Sequence, residues 1–211
     1  MVYSGFWRRF AALIIDKLIV IGCTFDFVTL AIHSRNFLIV ATIPLAAIIT
    51  AYYIYYHASF GQTLGKKLMR IKVVTMDGSP ICLKKAVQRN LIDMVVMLLF
   101  SLSYINGLSL MSDSEFVSLT RTQINSRVNE LNSAFGLSWL FWLYCGLGWL
   151  DDLVLFTNWR NRTLHDFIAN TVVIRFPSNT IKRWELALCV FLIGLFGLSF
   201  LFGIMAALKS A

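Results

Sequence analysis

The sequence predicts an all-α membrane protein: a five-helix transmembrane bundle with a small cytoplasmic two-stranded β element and a tandem, parallel internal repeat. Three observations predict it. Hydrophobic residues fill 58% of the 211 positions and charged residues 14%, where a soluble domain holds roughly 45–50% and about 25%. Apolar runs of about 20 residues, the length that crosses the hydrocarbon core, recur along the chain. Lysine and arginine gather in alternate connections between those runs.

The expected spans are Phe10–Ile32, Phe37–His57, Leu91–Met111, Ala134–Thr157 and Glu185–Leu208. The first is too long for a signal peptide and carries Asp16, Lys17 and Asp26, so it is expected to be retained. Cytoplasmic loops are enriched in Lys and Arg. With the N-terminus inside, the cytoplasmic side receives Arg8, Arg9, Lys66, Lys67, Arg70, Lys72, Lys84, Lys85, Arg89, Arg160, Arg162, Arg175, Lys182 and Arg183. The outer side receives Arg35, Arg121, Arg127 and Lys209, which puts the C-terminus outside. In the outer connection Val117, Ile124, Val128 and Leu131 recur at helical spacing. That pattern suits a short amphipathic helix on the outer membrane face; a mobile polar loop is the alternative.

The chain also resembles itself. GQTLGKKLMRIKVV, beginning at Gly61, aligns with NRTLHDFIANTVVI, beginning at Asn161, and both end in β-branched runs. Ile71–Val74 and Thr171–Ile174 read as strands, expected to pair with each other antiparallel beneath the bundle. The reading divides the chain into a domain over 1–176, with repeats 5–80 and 84–176, and an additional helix over 177–211. Gly61 is expected to end the second span.

Three ordered motifs, GFWRRFAALIIDKLIV, GQTLGKKLMRIKVVTMDG with the basic stretch to Arg89, and RNRTLHDFIANTVVI, resemble the RDD family of bacterial membrane proteins, named for an arginine and two aspartates. By that resemblance the arginine falls on Arg9 and the aspartates on Asp16 and Asp166, with Gly61, Gly65, Arg89 and His165 in the same motifs. It implies the bacterial inner membrane and transport, cation/proton antiport being among the activities suggested within the family, with no general substrate.

Asp16, Asp26, Asp93, Asp151 and Asp152 fall within expected spans, where a charge costs about 2.5–3.5 kcal/mol at the helix centre. Asp16, Asp93, Asp151 and Asp152 reach a similar inner level, while Asp26 stands apart in the outer half. Seven residues separate Arg9 from Asp16, two turns along one face, so Arg9 can neutralise a carboxylate on a neighbouring helix while Asp16 faces the bundle interior. Arg89 and Asp93, at i and i+4, can pair directly. The functional reading is a carboxylate cluster in an inward-facing cavity that exchanges a proton for a cation. The structural reading is a set of interfacial aspartates, paired with Arg and Lys, that fix helix depth.

The remaining residues narrow the class. His33, His57 and His165 lie far apart in the sequence and support no metal site, and the four cysteines show no paired spacing. No nucleophile, phosphate-loop or zinc-protease signature is present, so neither enzymatic activity nor a cofactor is expected. The net charge of +8 sits in membrane-flanking loops, which suits anionic lipid rather than nucleic acid. The expected activity is small-molecule or cation/proton exchange, by a homo-oligomer because five helices are few for alternating access. The alternative is a non-transporting adaptor that docks a partner protein on its basic cytoplasmic face.

Overall fold

The computed structural model describes residues 2–31, 34–137 and 139–176, together with Ala187. Apart from Ala187, the expected span Glu185–Leu208 lies outside the described residues. The described chain is mostly helical, with one two-stranded antiparallel sheet.

The apolar runs become long helices, and α2 is bracketed by a cap and a stop. Helix α1 covers Phe6–Ala31 and α2 covers Arg35–Phe60. Ser34 opens α2, its hydroxyl accepting the Phe37 N–H at 3.3 Å. Gly61 closes it at φ +68°, with its N–H donated to the His57 carbonyl at 2.9 Å. Helix α5 runs Leu91–Leu110 and α8 runs Trp139–Phe156. By length and composition, α2 and α5 can cross a membrane. Their outward faces are apolar: Leu91, Val95, Leu98 and Leu102, at helical spacing on α5, are each about half exposed, as are Ile48 and Val40 on α2 to a greater degree. A helix dissolved in water turns such a stripe inward.

Helices α2 and α5 run side by side in opposite directions, since Leu38 packs on Leu108 at one end and His57 meets Asn90 at the other. Each end has its own core. At the first, α6 (Asp113–Ser118) and α7 (Arg121–Ala134) fold back on α5, and Leu38, Leu108, Met111, Phe116, Ile124 and Val128 form a buried cluster. The amphipathic helix expected in this connection is therefore present as two helices. Its apolar stripe is turned onto α5 rather than outward: Ile124 and Val128 are buried, and only Val117, on α6, is exposed. Asn132 Nδ2 donates to the Ser103 carbonyl at 3.1 Å, so α7 lies along α5. The fourth span was expected from Ala134, but Ala134 ends α7, and a turn at Phe135 and Gly136 delays α8 to Trp139.

At the other end lie the short helices α3 (Leu64–Leu68), α4 (Leu83–Arg89) and α9 (Leu164–Ala169), with the strands β1 (Ile71–Thr75) and β2 (Thr171–Arg175). The strands pair antiparallel as expected, in a register that places Val73 opposite Val173. Their outer edges are covered. Val73 N–H bonds the Gly61 carbonyl at 2.8 Å on one side; Ser4 N–H bonds the Val173 carbonyl at 2.9 Å on the other. Ala12, Ile71, Val73, Ile81, Ala86 and Val173 make the core beneath the sheet.

Candidate functional site

Two turns with the same backbone construction flank the sheet. Thr63 and Thr163, both extended, stand at the N-caps of α3 and α9. Lys67 N–H bonds the Thr63 carbonyl at 2.9 Å as Phe167 N–H bonds that of Thr163 at 3.1 Å. Each turn enters and leaves through left-handed residues, Gly61 and Arg70 in the first, Asn161 and Asn170 in the second. A side chain beside each cap then reaches forward to the first strand carbonyl: Gln62 Nε2 to Ile71 at 2.8 Å, Arg162 Nε to Thr171 at 3.1 Å.

What the turns hold differs. Asp166, on α9, is fully buried. It accepts Arg9 Nη1 at 2.8 Å, Arg89 Nη1, Thr171 Oγ1 at 3.0 Å, and the Thr163 N–H and hydroxyl at 3.2 and 3.3 Å. Burial favours the neutral acid, but Arg89 and Arg9 outweigh it and hold the carboxyl well below the usual carboxylate range. Two guanidinium groups from α1 and α4 are thus fastened to α9 through one carboxylate.

Asp16 has dipoles instead. It lies 3% exposed on α1, ten residues from the helix start or roughly 15 Å along the axis at 1.5 Å per residue. Its Oδ2 accepts the Thr63 hydroxyl at 2.5 Å and its Oδ1 the Gly65 N–H at 2.8 Å. Gly65 permits the approach, because a Cβ there would collide with the Ala12 carbonyl and come 2.9 Å from the Asp16 carboxyl carbon. Among the described residues no Lys or Arg nitrogen stands within ion-pair distance of Asp16. The Lys66 charge acts on it electrostatically without an ion pair.

Position 66 in the first turn corresponds to position 166 in the second, and the charge is reversed. Lys66 Nζ stands 2.7 Å from His57 Nε2, and His57 Nδ1 faces the Asn90 amide at 3.4 Å. Burial, reinforced by Arg89, pushes the Lys66 ammonium down to about 7 against the opposing pull of Asp16 and Asp166. His57 is buried at the end of α2. The Lys66 amine, in contact with the His57 imidazole, can lose and regain a proton near neutral pH.

The residues singled out from sequence are therefore divided. Arg9, Arg89 and Asp166 meet directly, and Asp16, Gly61 and Gly65 build the first turn. His165 Nε2 lies 3.2 Å from Asp93 Oδ2 at the edge of the layer, where the Asp93 side chain is 67% exposed. The expected Arg89–Asp93 pair is not formed. Helix α4 ends at Arg89 and α5 begins at Leu91, with Asn90 between them, so the two residues do not share one continuous helix face. Asp151 and Asp152 belong to α8, and their side chains lie outside the described residues. No group of His, Cys, Asp and Glu suited to a metal occurs among the described residues.

A comparison with known families matches residues 3–170 to the RDD family. The chain belongs to the RDD family. The match takes in both turns and all the charges described above, and it ends at the residue before β2. No curated protein and no solved structure matches the chain. Of the three positions that the resemblance assigns to the arginine and aspartates, Arg9 and Asp166 form one ion pair, while Asp16, on α1, bonds to the other turn. Sequence reading counted Lys66 only as a topological charge and weighed His57 only as a metal ligand. The alignment of the two turns sets Lys66 against Asp166 as a charge reversal, a signal that singles out Lys66 but not its contact with His57.

Proposed function

We propose that this RDD protein is a multi-pass bacterial inner-membrane transporter that exchanges protons for cations at Asp16, with the charge layer at the cytoplasmic end of a bundle built from two tandem halves. The recurrence of both turns, down to their left-handed residues, supports the repeat. The separation of Lys66, Arg89 and Arg160 from Arg121 and Arg127, which lie beyond opposite ends of α5, supports the sidedness. No catalytic activity is part of the proposal.

The observation that carries it is the unequal distribution of cations. Asp166 has two arginines, whereas Asp16 is buried with neutral donors, the Thr63 and Tyr52 hydroxyls and the Gly65 N–H. A buried carboxylate without an ion-pair partner is a place for a proton or a cation. When a monovalent cation reaches Asp16 it repels the Lys66 ammonium, which releases its proton to water. When the cation departs, the amine regains a proton. One charge enters as one leaves, so the layer keeps its net charge through the cycle.

The test is pH-gradient-driven flux in proteoliposomes, scanned over monovalent cations, for the wild type, Asp16→Asn and Lys66→Met. Asn preserves the shape of Asp but not its charge; Asp16→Asn abolishes flux. Lys66→Met leaves downhill cation movement and removes its dependence on pH. Equal rates and equal pH profiles for all three proteins refute exchange at Asp16 and favour docking of a partner on the basic face around the exposed Lys84.

A further inference from the structure

Where α8 ends, Asn158, Trp159, Arg160, Arg162 and Phe167 line a cleft of about 190 Å³. None of these residues is acidic, and two are arginines. Both guanidinium groups lie against aromatic rings: Arg160 is 4.6 Å from the Trp159 ring centre and Arg162 is 4.1 Å from that of Phe167. Arg162 is held in place by the Thr171 and Asp166 carbonyls, which take its Nε at 3.1 Å and its Nη2 at 2.9 Å. Arg160 has a weak contact from Nη1 to Met76 Sδ at 3.9 Å, and its buried Nε has no hydrogen-bond partner among the described residues. A buried guanidinium N–H without an acceptor is costly. Neither arginine forms an ion pair with a carboxylate among the described residues.

We propose that this cleft is a binding site for the phosphate group of an anionic phospholipid. The chemistry is that of a phosphodiester: an oxyanion between two guanidinium groups accepts charge-assisted hydrogen bonds, including the one Arg160 Nε lacks. A phosphate there also offsets what disfavours the Arg162 charge, which is burial first and then the neighbouring Arg160. The rim selects lipid over free phosphate. Trp159 is 74% exposed, and the ring of Phe156, also exposed, continues the apolar surface up α8 from the cleft. Tyr3 packs edge-on against Trp159 at 5.6 Å, so the site joins the chain's N-terminal segment to its second half. Aromatic rings over a basic pocket at a helix end suit the headgroup level of a bilayer. The inference rests on α8 as a membrane span and does not depend on transport.

The experiment titrates purified protein in neutral detergent with short-chain phosphatidylglycerol, and with phosphatidylcholine of the same chains, and counts bound lipid by native mass spectrometry. The wild type retains phosphatidylglycerol about tenfold better, as expected for one or two hydrogen bonds to charged groups. Arg160→Gln loses that preference, while Lys84→Gln, on the same basic side but outside the cleft, keeps it. Millimolar inorganic phosphate does not displace the lipid. An Arg160→Gln protein that elutes as the folded species and still prefers phosphatidylglycerol overturns the proposal. So does an equal loss in Lys84→Gln, which assigns the preference to diffuse charge, or displacement by inorganic phosphate, which assigns the cleft to a free anion. Should Arg160→Gln fail to fold, Trp159→Ala serves as the second variant, and unchanged lipid preference in it overturns the site equally.

Discussion

The turn around Thr63 and the turn around Thr163 share a backbone and differ in electrostatics. Both are short capped helices that enter a strand through a left-handed residue, and both strands meet at the Val73–Val173 pair. In the second turn the central residue is Asp166, neutralised by Arg9 from α1 and Arg89 from α4. In the first it is Lys66, in contact with the His57 imidazole and only within electrostatic reach of Asp16. The comparison teaches that one scaffold can act as a fastening in one copy and keep exchangeable charge in the other. Backbone hydrogen bonds carry the shared shape, and a single reversed charge sets the role.

The largest effect expected from breaking this contrast is at Asp166. Asp166→Asn leaves two buried arginines without their carboxylate, and losing one partner of a buried ion pair costs about 3–5 kcal/mol. Thermal unfolding of the solubilised protein measures it. The pH dependence has a definite sign. The folded pKa of Asp166 lies below its ordinary value of 3.8, so its contribution is present above that value and is lost as pH falls through the folded pKa. Asp166→Asn removes this part of the acid limb; an unchanged acid limb would show that the pair is not the fastening.

Lys66 also has a lowered pKa, but there the shift disfavours the charged form. Its folded pKa of about 7 lies below the ordinary 10.5, so between those values the unfolded chain binds more protons and stability rises with pH. The Lys66→Met protein should be more stable than the wild type at pH 6 and should lack the rise between pH 7 and 10. Parallel stability curves for the two proteins would place the ammonium in solvent and remove the contrast between the turns.

The smallest effects belong to the residues that open the turns. Gly61 and Asn161 both have positive φ, at 68° and 48°, so backbone conformation alone would treat them alike. A Cβ at position 61, however, would stand 2.6 Å from the Val73 carbonyl oxygen. Gly61→Asn should therefore cost about 1–3 kcal/mol, as overpacking does, while Asn161→Gly should change stability by less than about 1 kcal/mol. Equal losses in a denaturant titration would mean that the first turn is no tighter than the second.

Helices α1, α2 and α5, the antiparallel strands and the Gly61 stop were legible because each depends on local information: apolar run length, β-branched runs and a left-handed cap. The turns were legible through their shared Thr-Leu pair. The partnership of Arg89 was misread because α4 stops at Arg89, a break marked by neither glycine nor proline. The contact between Lys66 and His57 was invisible because it joins two helices across a turn, and sequence spacing carries no information on which side chains converge there.

The amino-acid sequence by itself determined the composition for a nonaqueous solvent, the main helical runs, the two matching turns and the family, since hydropathy, spacing and motif are written one residue after another. Only the tertiary structure decided which charges neutralise one another. It brought Arg9 and Arg89 to Asp166 across separations of 157 and 77 residues, and it gave Asp16 hydrogen bonds from neutral donors with Lys66 only within electrostatic reach. The physical reason is that a buried charge takes whichever partner the packing of distant elements brings within a few ångströms, and that choice is made by the whole fold.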